Sequence, residues 1–180
     1  MKIHLLLLVF MFIANPVLPS HGNSRQPAPV NSVDLSKYVG LWYEIAKIPN
    51  RFQDQCAGNT TAAYELREDG RIAVINRCVK KDGSTNEARG IAKVIDTQSN
   101  ARLKVSFVEI LGLSLFWGDY WIIGLDENYR YAIVGSPSRK YGWILSRAPK
   151  MSEETLDEVF AILRGQGYDP LKFELTAHDQ

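Results

Sequence analysis

Eight short stretches rich in Val, Ile, Tyr, Phe and Trp follow one another between residues 42 and 146, with turn signals between them. Nothing else in the chain constrains its fold as much. Segments of that length and composition read as strands. The expected strands are 42–48, 59–67, 71–80, 85–95, 102–108, 120–125, 131–135 and 142–146. Glu68-Asp69-Gly70 separates the second from the third, and Asp-Gly favours a tight hairpin because Gly takes positive φ at no steric cost. Lys81-Asp82-Gly83, the stretch 96–100, Asp126-Glu127-Asn128 and Ser136-Pro137-Ser138 turn the later strands. The order is antiparallel and up-and-down. Eight such strands can close into a barrel, which removes exposed edges and is just wide enough for one small ligand. Periodicity alone leaves a two-sheet sandwich open.

A single helix is expected over 152–164. Ser152 stands at the N-cap, and Glu153 and Glu154 fall in the first turn, where the helix dipole favours anions. Leu156, Val159, Phe160 and Leu163 form one apolar stripe, and Gly165 and Gly167 stop the helix. The stripe needs a surface to pack on, and the outside of the barrel offers one. A short final strand is expected over 172–175. The expected fold class is all-β with one helix, read as an eight-stranded antiparallel up-and-down β-barrel with a C-terminal α-helix packed outside, the sandwich staying the alternative.

Residues 1–22 read as a secretory signal. Lys2 precedes an apolar run over 3–13, which is too short to span a bilayer with confidence. An uncleaved anchor is the alternative. No Cys stands at the junction for bacterial lipid attachment. Residues 23–33 hold Pro27 and Pro29 and read as a flexible leader, followed by one domain over 34–176. The chain has 21 basic and 20 acidic residues, and loss of residues 1–22 removes Lys2 alone, leaving 20 of each. That balance gives no electrostatic case for nucleic acid. The chain is expected to be exported, periplasmic or secreted.

Cys56 and Cys78 are the only cysteines, and an even pair in an exported chain reads as a disulfide. A metal site would want more Cys or His at short spacing, and His4, His21 and His178 lie near the chain ends. A catalytic thiol would want a nearby base. No Ser-His-Asp set or phosphate loop is visible. Glu44 and Asp119 are the two carboxylates that invite an acid–base reading, but nothing in the sequence brings them together. No metal, cofactor or catalytic residue is assigned, and the chain is not read as an enzyme.

Three positions carry a family resemblance. The first is Gly40-Leu41-Trp42, opening the first strand. The second is Asp119-Tyr120, fragments of a Thr-Asp-x-Tyr type motif, leading into Trp121-Ile122-Ile123-Gly124-Leu125-Asp126. The third is Trp143-Ile144-Leu145-Ser146-Arg147 before the helix. In that order they resemble the lipocalins, and the bacterial and apolipoprotein-D-like branch most closely. The resemblance implies that Arg147 lies over Trp42 and closes the barrel base. A guanidinium over an indole is worth about 0.5–2 kcal/mol.

If Trp42 and Arg147 mark the closed end, the loops 49–58, 80–84, 109–118 and 136–140 lie at the open mouth. Alternation then puts Glu44 and Ala46 inward, Tyr43 and Ile45 outward, and Trp143 and Leu145 inward. By resemblance to the pocket pattern of the branch, Tyr64, Val74, Asn76, Val105, Phe107, Tyr120 and Ile122 also face inward. Such a lining suits an apolar ligand with one polar end, and the resemblance implies a fatty acid or lysophospholipid. An ordinary filled core is the alternative, as is an enzyme on the same barrel. The mouth loop Glu109-Ile110-Leu111-Gly112-Leu113-Ser114-Leu115-Phe116-Trp117-Gly118 is far too apolar for a solvated loop. It reads either as a lid into the cavity or as a surface patch for a membrane or a protein partner, with Leu115, Phe116 and Trp117 as the contact residues.

Overall fold

The computed structural model describes residues 26–179, so the signal segment and the first part of the leader lie outside the described residues. Ten strands and two helices precede a short eleventh strand. Helix α1 (Leu35–Tyr38) leads into β1 (Gly40–Lys47), β2 (Cys56–Leu66), β3 (Ile72–Lys80), β4 (Thr85–Val94) and β5 (Arg102–Ser106). Then come β6 (Val108–Ile110), β7 (Leu113–Leu115), β8 (Gly118–Leu125), β9 (Tyr131–Gly135), β10 (Gly142–Ser146), α2 (Glu153–Gly165) and β11 (Glu174–Leu175).

Eight of these strands form one closed antiparallel ring in the order β1-β2-β3-β4-β5-β8-β9-β10, and β10 pairs back with β1. Closure removes the edges that a sandwich would leave. The expected strand set is present, with one division: the stretch read as 102–108 ends at Ser106, and β6 and β7 form a separate hairpin.

The side chains sort into two apolar clusters. Trp42, Tyr64, Val74, Ile122, Val134 and Leu145 belong to the one inside the ring. Ile45, Ile123, Ile133, Ile144, Val159 and Leu163 belong to the other, between the ring and α2. The helix stripe is thus buried against the outer wall, with Leu156 and Phe160 at its margin. Ser152 caps α2 by accepting from the Thr155 N–H at 3.2 Å.

Two expectations fail here. Ala46 was expected inside but belongs to the outer cluster. The β1–β10 register shifts between Glu44 and Ala46, and such a bulge breaks the alternation beyond it. The leader is also not loose from residue 26 onward. Gln166 donates from Nε2 to the Ala28 carbonyl and accepts from its N–H, at 3.0 and 2.8 Å. The Val30 N–H donates to the Ile122 carbonyl and the Val33 N–H to that of Ser99. Val33 and Pro27 are buried. The prolines leave fewer donors to satisfy, and the remaining groups find long-range partners.

Candidate functional site: the barrel interior and its mouth

The base is closed by one constellation. The Arg147 guanidinium carbon lies 3.7 Å from the centre of the Trp42 ring. Its nitrogens donate to the Leu41, Lys37, Tyr38 and Val39 carbonyls at 2.6–3.1 Å. Trp42 Nε1 also donates to the Tyr38 carbonyl, at 2.7 Å. The carbonyls at the end of α1 have no partner within a four-residue helix, and these two side chains supply it. Gly40 has φ +96°, and a Cβ there would sit 3.4 Å from an Arg147 nitrogen. The positive φ is what favours Gly at this position, since a Cβ at that distance is only in ordinary contact. Helix α1 itself was not expected from sequence, although Asp34 caps it by accepting from the Ser36 N–H.

Above Trp42 stand three tyrosines. The Tyr120 hydroxyl is 2.8 Å from that of Tyr38 and 2.9 Å from that of Tyr64. Burial pushes Tyr64 up to about 12 and raises Tyr38 and Tyr120 well above the ordinary phenol value. The triad therefore stays protonated and offers neutral hydroxyls.

Higher up, the interior changes character. Val105, Tyr120 and Trp143 border the inner cluster but stay partly open. Phe107 lies just beyond β5 and is 42% exposed. Its ring still lies on the inner wall, because a Cβ on Gly90 would come within 2.6 Å of it, and Gly90 pairs with buried Val74. Asn76 faces the same side, and its Oδ1 is buried without a hydrogen-bond partner among the described residues. The residues expected to face inward, Tyr64, Val74, Asn76, Val105, Phe107, Tyr120, Ile122, Trp143 and Leu145, lie toward the inner side of the ring, buried near the base and partly exposed toward the mouth.

Glu44 is buried and fully engaged. Its carboxylate accepts from Thr176 Oγ1 at 2.7 Å and from Gln53 Nε2 at 2.6 Å, and lies 3.3 Å from Lys47 Nζ. Gln53 Oε1 in turn accepts from Trp143 Nε1 at 3.0 Å and Asn50 Nδ2 at 2.9 Å. Sequence reasoning missed Gln53, since a polar loop residue gives no sign of a partner 90 positions away. Asp119 lies elsewhere, 3.6 Å from Lys104 and exposed, so the two carboxylates are not a pair.

At the rim, Cys56 and Cys78 form a disulfide that joins β2 to β3. The hairpin β6–β7 stands on the outer side of the mouth. Ser106, whose neighbours Leu103 and Val105 face inward, is buried beneath it and donates its hydroxyl to the Leu115 carbonyl. Lys93 Nζ lies 4.2 Å over the Trp117 ring. No hairpin residue joins the inner cluster, so the lid reading is replaced by a surface patch. Its exposed groups are Leu111 (98%), Phe116 (82%), Leu113 and Ile110. Of the three residues expected at the contact, only Phe116 is fully outward. Leu115 and Trp117 are half-buried and brace the hairpin. Leu111 and Gly112 both have positive φ, 50° and 77°, which is the turn geometry that normally selects Asn-Gly.

Comparison with known proteins agrees with this architecture. Residues 33–178 match the family described as Lipocalin-like domain. The chain is 41% identical to the outer membrane lipoprotein Blc of Escherichia coli (strain K12) over 145 residues, covering 80% of this chain and 78% of that one. It is 39% identical to temperature-induced lipocalin-1 of Arabidopsis thaliana, covering 82% and 80%, and 32% identical to apolipoprotein D of Macaca fascicularis, covering 86% and 82%. Insecticyanin from the tobacco hornworm Manduca sexta shares the fold with a TM-score of 0.69 at 23% identity, covering 91% and 89%. With a closed eight-stranded ring, an arginine over the first-strand tryptophan and a family match across nearly all the described residues, the chain belongs to the lipocalins.

Proposed function

We propose that this lipocalin is an exported, non-enzymatic carrier that holds one single-chain lipid, a fatty acid or lysophospholipid, inside its barrel. The observation that supports it most is the contrast within the interior. Trp42, Ile122 and Leu145 are buried, while Val105, Phe107, Tyr120 and Trp143 above them keep apolar surface open. Each CH₂ moved there from water is worth roughly 0.8 kcal/mol, so an acyl chain needs few polar contacts. Both cysteines are tied to each other, which leaves no thiol for the enzymatic alternative. Names such as outer membrane lipoprotein and apolipoprotein among the relatives fit an exported protein that works near lipid. The carrier meets membrane through the β6–β7 hairpin, where Leu111 and Phe116 project into solvent.

Titration with fatty acids and lysophospholipids tests the cargo. Trp143 fluorescence should shift saturably at roughly micromolar ligand. No saturable response to any acyl chain, together with a solvent-free interior, overturns the reading.

A further inference from the structure

The ring has one weak stave. Strands β1 and β2 pair only over residues 40–43 of β1 and 61–64 of β2. Above Tyr43 they separate, and the segment 174–179 occupies the gap. On one side β11 pairs with Ala46 and Lys47, and the Thr176 N–H donates to the Ile45 carbonyl at 2.9 Å. On the other side the Asn59 N–H donates to the Ala177 carbonyl at 2.7 Å. Asn59 Nδ2 donates to Asp179 Oδ2 at 2.6 Å, and its Oδ1 accepts from the Asp179 N–H at 2.8 Å. We propose that this segment is a removable part of the wall, and that its release opens a side slot between β1 and β2 through which cargo passes.

Four observations carry this. First, apolar anchorage of the segment is thin, the ring contact being that of His178 edge-on to Tyr43. Phe173 belongs to the outer cluster, but no residue of 174–179 belongs to either cluster, and Leu175 is 67% exposed. Elements held by a few hydrogen bonds and little apolar contact open first. Second, β2 is irregular where it faces the segment. Its register with β3 shifts between Cys56 and Gly58 and again before Thr61, and Asn59 has φ +51°. The buried Thr60 hydroxyl beside the split has no partner among the described residues. Third, the neighbouring seams are joined at the same height. The Cys56–Cys78 bond staples β2 to β3 at the rim, and β1 pairs with β10 as far as Lys47. Fourth, the segment is wired to the interior. Thr176 Oγ1 bonds Glu44, Glu44 bonds Gln53, and Gln53 bonds Trp143 Nε1. Release of the segment would remove one of the three groups that hold the Glu44 carboxylate, which in turn accepts from Gln53, the rim residue in contact with the inward-facing indole.

The inference rests on the barrel carrying a cargo, so its test has an arm that needs none. In hydrogen exchange, the Thr176 and Asn59 amides should exchange well before the ladder amides of Trp42 and Ile144. Exchange of all four at the free energy of global unfolding overturns the proposal. The second arm compares the parent with a chain ending at Leu175 and with Gly58→Val, whose Cβ would stand 2.7 Å from the Ala177 carbonyl oxygen. With a fluorescent fatty acid as probe, association and dissociation rates should both rise about tenfold, the effect of ~1.4 kcal/mol, while Kd stays within about twofold. Faster dissociation at unchanged association means the segment is merely wall and overturns the proposal, as do unchanged rates. If the parent binds no probe, the carrier reading falls and the exchange result alone decides whether the stave opens.

Discussion

The two ends of the barrel are built on opposite terms. At the base, polar groups find partners and apolar ones are covered: Arg147 and Trp42 serve the carbonyls of α1, and three tyrosine hydroxyls meet one another. Toward the mouth, Asn50 Oδ1, Thr60 Oγ1 and Asn76 Oδ1 are buried without partners among the described residues, as is Trp121 Nε1 on the outer wall beside Arg102. At the mouth, too, Leu111 and Phe116 are exposed in left-handed backbone, which costs a branched or aromatic residue about 1–2 kcal/mol; Tyr129 in the base turn shares that backbone, but its hydroxyl is engaged, accepting from the Asp34 N–H. A native fold rarely keeps such costs where nothing uses them. The base specifies the fold; the mouth retains capacity for contacts with something else.

Substitutions at the two ends should separate accordingly. Trp42→Ala should cost the most, about 3–5 kcal/mol of stability by chemical denaturation. If that variant retains stability but loses lipid, the division of labour is wrong. Replacing Cys56 and Cys78 together with Ser should cost about 3 kcal/mol, since the bond closes a loop of sequence separation 22. The loss should read out at the rim, as faster exchange in β2 and β3, with the base ladders keeping their rank. Leu111→Asn sharpens the comparison, because its two effects oppose. Asn suits the turn, so stability should rise by about 1 kcal/mol, whereas partition to phospholipid vesicles should fall. Vesicle binding equal to the parent's would remove the hairpin as the membrane contact. As the formal charge of the chain without residues 1–22 is balanced, that partition should change little with salt.

The smallest effect belongs to a turn at the base. Bonds from Arg130 hold Asp126 down to about 2, below the usual 3.8. A carboxyl lowered on folding stabilises fully above its unfolded pKa, and the contribution is lost as pH falls through the folded value. Thermal stability should therefore decline between about pH 4 and pH 2, and Asp126→Asn should flatten that part of the profile.

The base was more legible in the sequence than the mouth, for a physical reason. Gly40, Trp42 and Arg147 have a joint geometry imposed by closure, and the strands beside them alternate regularly. The features that were not legible depend on partners distant in sequence or on broken periodicity. The leader was read as loose because Pro-containing polar sequence gives no hint of Gln166 or Ile122. Ala46 was assigned to the wrong face because a bulge leaves no mark in composition. The β6–β7 hairpin was read as a loop, either lid or surface patch, because Leu111-Gly112 stands where Asn-Gly would announce a turn. Gln53 looked like any other loop amide.

The strap over residues 28–33 also determines how the molecule can be held. Ala28 is fastened to Gln166, whose carbonyl accepts from Arg139 Nε in the turn at the mouth. Asp179, at the other end of the described chain, is fastened to Asn59 on the upper half of β2. A tether joined near either residue therefore reaches the barrel on its mouth side, and none reaches it at the base. A sensor surface coupled that way would crowd the opening and slow exchange by obstruction alone. Coupling through the exposed Glu68 of the base turn would leave both the mouth and the β1–β2 seam facing solution.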